Sequence, residues 1–181
     1  MAMNHAVPAS NLEVLLDAET IARRVRELAR EISADYRGRP LRLVGILKGA
    51  WVFLADLIRH LDLEVTVDFL SIASYGDHSH SSGVVRITKD LDESIEGLDV
   101  LVVEDILDSG HTFEYLRGVL EAHKPKSLKV VTLLDKPSCR VRPVHADYVG
   151  FTIPDVFVVG YGLDHAQQYR HLPDVRIWRA T

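Results

Sequence analysis

Two adjacent acids, Glu104 and Asp105, are followed by Asp108 and then by Ser109, Gly110, His111 and Thr112, all within the segment VLVVEDILDSGHT at 100–112. The run from Val100 to Val103 is short, continuous and mostly β-branched, as in a strand covered on both faces of a parallel sheet. The strand is expected to end at Glu104 and Asp105, which sets two carboxylates at the C-terminal edge, where open α/β sheets form their ligand crevice. Phe113, Leu116, Val119 and Leu120 then recur at helical spacing, so the small-residue turn between acids and helix feeds a helix N-terminus. Unpaired N–H groups and the positive end of the helix dipole favour a phosphate there. Ser109 and Thr112 add hydroxyl donors, and Gly110 lets the backbone approach closely. Taken singly, Ser109 or Asp108 would serve as an N-cap, and Glu104 with Asp105 as solvated acids at a strand end. Taken together, they point to a sugar-phosphate site.

Other elements must position that segment. Asp17 is a plausible N-cap for a helix carrying Ile21, Val25, Leu28, Ala29 and Ile32 on one face, ended by Gly38 and Pro40. Leu41 to Ile46 reads as a strand, Leu47-Lys48-Gly49 as a turn, and Ala50 to Leu61 as a helix offering Val52, Leu57, Ile58 and Leu61 for packing. Val65 to Leu70 is the next expected strand. The polar interval Ser71 to Gly83 is expected to be a mobile loop, before Val84 to Thr88 returns to apolar alternation. His78 and His80 within it lack a third ligand nearby and read as solvated. Leu128 to Leu134 forms a further strand and delivers Asp135 and Lys136 to the same edge as Glu104 and Asp105. Alternating strands and helices imply an α/β fold.

A chain of 181 residues with 47% hydrophobic content fills one core, so a single domain over 11–181 is expected, preceded by a flexible lead-in at 1–10 with no assigned role. The net charge of −5 argues against nonspecific nucleic-acid or anionic-membrane partners. Cys139 is the only cysteine, which excludes an intrachain disulfide framework and suits a reducing compartment. No signal-like start or membrane-length apolar run is visible, and the expected location is cytoplasmic.

The segment VLVVEDILDSGHT resembles the phosphoribosyl pyrophosphate (PRPP) binding motif of type I phosphoribosyltransferases, through both its Glu-Asp pair and its Asp-Ser-Gly-x-Thr turn. The chain is further similar to the hypoxanthine-guanine phosphoribosyltransferases in ILKGAWVFLADLI at 46–58, VDFLSIASYG at 67–76 and VGFTIPDVFVVGYGLDHAQQYRHLP at 149–173. Four segments in the right order, between about Leu12 and the C-terminus, make the resemblance specific to the 6-oxopurine branch.

The resemblance implies a central, mostly parallel sheet flanked by helices, with a small hood built mainly from residues 149–181. It implies transfer of the 5-phosphoribosyl group from PRPP to hypoxanthine or guanine, giving IMP or GMP and pyrophosphate, with Mg²⁺ as cofactor. Glu104 and Asp105 would hold the ribose hydroxyls, and Asp108 to Thr112 the 5′-phosphate, with His111 at a variable position of that turn. Asp108 would also accept or share the purine N7 proton. Leu47, Lys48 and Gly49 match the pyrophosphate loop, including a cis peptide between Leu47 and Lys48, and Arg170 would bind pyrophosphate oxygens. Lys48 taken alone is an ordinary surface lysine. Ser74 and Tyr75 would belong to the loop that closes over the site. Lys136 would read purine O6, Phe157 would stack on the base, and the main chain of Val158 would meet the purine edge. Asp164 would border the purine and, with Glu104 and Asp105, the Mg²⁺. Without the family, Phe157 reads as core and Asp164 with Arg170 as a surface pair. Asp135 stands where some relatives are apolar. Relatives assemble as homodimers or homotetramers. The alternatives are an enzyme of this fold preferring xanthine, and a PRPP- or nucleotide-sensing regulator of gene expression. The acidic balance and the absence of spare length weigh against the regulator.

Overall fold

A computed structural model describes residues 12–75 and 84–179. The lead-in at 1–10, and the part of the polar interval that holds His78 and His80, lie outside the described residues. The elements are β1 (Leu12–Leu16), α1 (Ala18–Asp35), β2 (Leu41–Leu47), α2 (Trp51–Ile58), β3 (Val65–Tyr75), β4 (Val84–Lys89), β5 (Asp99–Leu107), α3 (His111–Ala122), β6 (Ser127–Asp135), β7 (Tyr148–Thr152), β8 (Val158–Val159) and β9 (Val175–Trp178).

Six strands form one sheet in the order β4-β3-β2-β5-β6-β7. All neighbours run parallel except β3 and β4. The apolar runs follow from burial on both faces. Leu101 and Val103 of β5 join a core with Leu43 of β2, Phe53 and Leu57 of α2, and the whole apolar stripe of α1. Val100 and Val102 alternate to the other face and meet Val44 with Phe113, Leu116 and Leu120 of α3. Asp17 caps α1 as its sequence suggests, accepting the Thr20 N–H at 2.8 Å.

The structure corrects several boundaries. β5 does not end at Glu104 and Asp105 but runs on to Leu107, because β6 keeps pairing with it, Glu104 opposite Thr132 and Leu107 opposite Asp135. Ser71 to Tyr75 are not loop, since they continue β3 and pair antiparallel with β4. α2 stops at Ile58 and buries Phe53, Leu54 and Leu57, leaving Val52, Ile58 and Leu61 partly exposed.

β1 had no counterpart in the sequence reading. It pairs antiparallel with β9, which pairs in turn with β8, so the first and last described strands share a three-stranded sheet of their own. Among the described residues no helix is long and apolar enough to cross a membrane.

Candidate functional site

β2 and β5 are neighbours only from Arg42 opposite Val100 to Gly45 opposite Val103. Beyond that point β2 continues beside β3 as far as Leu47, and β5 continues beside β6. The chain winds outward from β2 in one direction and from β5 in the other, so a crevice opens at the switch point between them. Glu104 and Asp105 are the first residues of β5 past the parting.

Strand alternation sends Asp105 toward the turn after β2. A Cβ on Gly49 would stand 1.4 Å from Asp105 Oδ2, so only glycine permits this approach. The Ile106 N–H donates to Asp105 Oδ1 at 2.7 Å. Burial pushes both acids up: Glu104 well above the usual carboxylate range, with the neighbouring Asp105 charge adding to the effect, and Asp105 to about 6. Two adjacent carboxyls, Glu104 buried and Asp105 partly so, with this little internal compensation are suited to ligand hydroxyls or to a hard cation. The Leu47–Lys48 peptide preceding Gly49 is cis.

A cavity of about 220 Å³ lies along Glu104 to Gly110, Thr112 and Phe113. Gly110 takes the N-cap position of α3 with φ +88°, and no side chain caps the helix. Neither Asp108 nor Ser109 therefore has the simple capping role, and the first-turn N–H groups are left for another acceptor. The Val141 and Arg142 N–H groups hold the turn from behind by donating to the Ser109 carbonyl at 3.0 and 3.1 Å. Val144 Cγ2 would be 2.5 Å from a Cβ on Gly110, which excludes any larger residue. His111 Nδ1 lies 3.2 Å from Ser109 Oγ.

Lys136 is buried, with Nζ 3.8 Å from Asp108 Oδ2, while Asp108 is half exposed. Asp135 does not face the crevice as a free acid, because Arg140 pairs with it. A hydrogen bond to Asp155, together with burial, pushes the Cys139 thiol up to about 11. Phe157 is half exposed rather than core, with edge contacts to His165 and Trp178 at 5.6 Å. Val158 is buried in β8, one of the two edge strands of the small sheet, opposite Ile177.

The loop from Gly160 to Arg170 folds over the turn after β2. Gly162, at φ +100°, lies so close to the Gly49 carbonyl that a Cβ would be 2.2 Å from that oxygen. Arg170 pairs with Asp164 at 2.6 Å and donates to the Gly162 carbonyl at 2.7 Å. Asp105 is near enough for Arg170 to lower, and Asp164 to raise, its affinity for a proton.

Gln167 is the residue that sequence reasoning missed. Its side-chain oxygen accepts from Lys48 Nζ at 3.2 Å and lies 3.5 Å from an Arg170 guanidinium nitrogen. No sequence pattern marks it, since the contact spans 119 positions.

The predicted residues thus fall into neighbouring groups. Glu104 to Gly110 and Thr112, but not His111, line one cavity, Lys136 reaches Asp108, and Lys48 and Arg170 converge across Gln167. Ser74 and Tyr75 pair through their backbone with Val85 and Val84. Among the described residues no three metal-type side chains form a ready-made cluster, so Glu104, Asp105 and Asp164 do not make a cage by themselves.

Comparison with known proteins matches residues 11–166 to the phosphoribosyl transferase domain family. The hypoxanthine-guanine phosphoribosyltransferase of Bacillus subtilis is 50% identical over 165 residues, covering 91% of this chain and 92% of that protein. The hypoxanthine phosphoribosyltransferase of Escherichia coli K12 is 48% identical over 173 residues, covering 94% of each. A crystal structure of a hypoxanthine phosphoribosyltransferase from Staphylococcus aureus superposes with a TM-score of 0.91 at 46% identity, covering 98% of this chain and 97% of that one.

Proposed function

This chain belongs to the hypoxanthine-guanine phosphoribosyltransferases of the phosphoribosyl transferase family, and we propose on that premise that it joins hypoxanthine or guanine to the phosphoribosyl group of PRPP, releasing pyrophosphate. The observation that carries the reading is the parting of β2 and β5, with the Glu104–Asp105 acid pair in the opening and an uncapped helix N-terminus beside it.

PRPP presents three groups, and each has a matching partner. The 5′-phosphate takes the first-turn N–H groups of α3 with the Ser109 and Thr112 hydroxyls, an arrangement that needs no side-chain cation. Glu104 and Asp105 accept from the ribose 2′ and 3′ hydroxyls, most strongly in their charged form. Lys48 and Arg170 take pyrophosphate oxygens, and Gly49 brings the turn's backbone alongside.

The purine lies between Phe157 and the crevice, its edge against the main chain of Val158. Lys136 donates to O6. Adenine has a 6-amino donor there, so the buried ammonium disfavours it. As C1 loses pyrophosphate the ribose becomes oxocarbenium-like and N9 attacks. The purine then sheds the N7 proton to Asp108, which acts as general base, with the Lys136 ammonium beside it.

Hard carboxylate oxygens on Glu104, Asp105 and Asp164 fit Mg²⁺ in the way that cation is usually held, by a few carboxylates together with substrate phosphates. When bound, Mg²⁺ neutralises charge on the departing pyrophosphate. Lys48 and Arg170 do the same from the protein side and need no reorganisation at the moment of bond cleavage. We further propose that two or four copies assemble in solution, which sedimentation would measure.

The test is nucleotide formation from PRPP and Mg²⁺ with hypoxanthine, guanine, xanthine, adenine or uracil. IMP and GMP as the only products are expected. XMP as the main product would reassign the base. No product with any of the five, alongside retained PRPP binding, would favour a sensing role.

A further inference from the structure

We propose that Gln167 acts as a placeholder for a pyrophosphate oxygen, its amide oxygen joining the two pyrophosphate cations until the anion displaces it. The inference rests on assigning Lys48 and Arg170 to pyrophosphate. The two cations come from distant parts of the chain, Lys48 from the turn after β2 and Arg170 from the loop over it, and carry like charge. The Gln167 oxygen lies between them, 3.2 Å from Lys48 Nζ and 3.5 Å from the Arg170 guanidinium. An amide oxygen is an acceptor without charge, so it offsets the repulsion of two cations less than an anionic oxygen would.

The backbone is built to present that oxygen. His165 and Gln168 exchange hydrogen bonds at 3.2 and 3.0 Å across a two-residue turn, whose tip residues Ala166 and Gln167 have φ of +50° and +66°. Side chains other than glycine rarely adopt this conformation. Asp164 secures it, accepting the Gln167 N–H at 2.8 Å while pairing with Arg170. One carboxylate therefore orients both the placeholder and one of the cations. Gln167 itself is exposed, so its amide can swing into water when pyrophosphate enters.

A placeholder competes with the ligand it imitates. Gln167→Ala and Gln167→Met both remove the oxygen, and the methionine keeps the length of the side chain. Calorimetric titration of pyrophosphate with Mg²⁺ is expected to give a Kd three- to tenfold lower in both variants, with IMP affinity unchanged. An unchanged or higher pyrophosphate Kd in the variants would overturn the inference, since it would make Gln167 a bystander or a direct ligand. Lys48→Met is the companion variant. If it binds IMP and leaves pyrophosphate affinity at the wild-type value, the pyrophosphate assignment fails and the placeholder with it. If it weakens pyrophosphate while the Gln167 variants do not tighten it, only the placeholder fails.

Discussion

A methyl group at position 49 would stand 1.4 Å from a carboxylate oxygen of Asp105, and no side chain but hydrogen leaves both the turn and the acid in place. Gly49→Ala is therefore expected to lower kcat/KM for PRPP by at least about a hundredfold through displacement of reacting groups. Circular dichroism should remain native, because the clash lies at the mouth of the sheet. The acid pair makes a second prediction. Glu104 and Asp105 bind protons more readily folded than unfolded, so their contribution to stability is fully present below about pH 4 and is lost as pH rises, for Asp105 through about 6. The ligand-free protein should lose Tm between pH 5 and 7, and Glu104→Gln should lose less; parallel Tm profiles would contradict the assignment. Lys136 makes a third. Removing a charged hydrogen-bond donor typically costs about 1.5–3 kcal/mol. Lys136→Met is expected to lower kcat/KM for hypoxanthine roughly ten- to a hundredfold and to narrow its margin over adenine, as competition between the two bases would measure.

At the scale of elements, legibility in the sequence followed the range of the interactions. The first long helix was readable because its cap at Asp17 and its stripe from Ile21 to Ile32 are local patterns. β5 was recognised, but its end was misplaced. Two acids look like a strand terminus, and only the continued pairing with β6 keeps Glu104 and Asp105 in the ladder. β1 was missed because Leu12 to Leu16 become a strand only by meeting β9, with Leu12 opposite Trp178 at the far end of the chain. The grouping of Asp108 with Ser109, Gly110 and Thr112 was legible since it is contiguous, whereas Gln167 draws its role from Lys48, which lies 119 positions away. The pairing of β1 with β9 predicts that Glu13→Pro, which removes a ladder N–H, weakens the small sheet that carries Phe157 and Val158. KM for hypoxanthine should rise several-fold while KM for PRPP stays near wild type. Equal rises in both would mean that this sheet serves the whole site and not the base alone.

Across the whole molecule, two cores on opposite faces of one sheet fix β2 and β5 against each other as far as Gly45 and Val103, and the site occupies the gap where that grip ends. A rigid sheet supplies the acids and the phosphate turn, and the loop above it supplies Arg170 and Asp164. Under the proposed function the sheet would hold the charged sugar, and the turn after β2 together with the loop above it would hold the leaving group. The proposed reaction turns on Asp108, which lies beside Lys136 and would take the purine proton as the new bond forms. Pyrophosphate release from PRPP with hypoxanthine, compared between wild type and Asp108→Asn, tests it most directly. The expected kcat is about a hundred- to ten-thousandfold lower in the variant, the usual scale for a lost general base, with KM for PRPP within about threefold of wild type. A variant that keeps the wild-type kcat, or a wild type that releases no pyrophosphate with hypoxanthine, would contradict it.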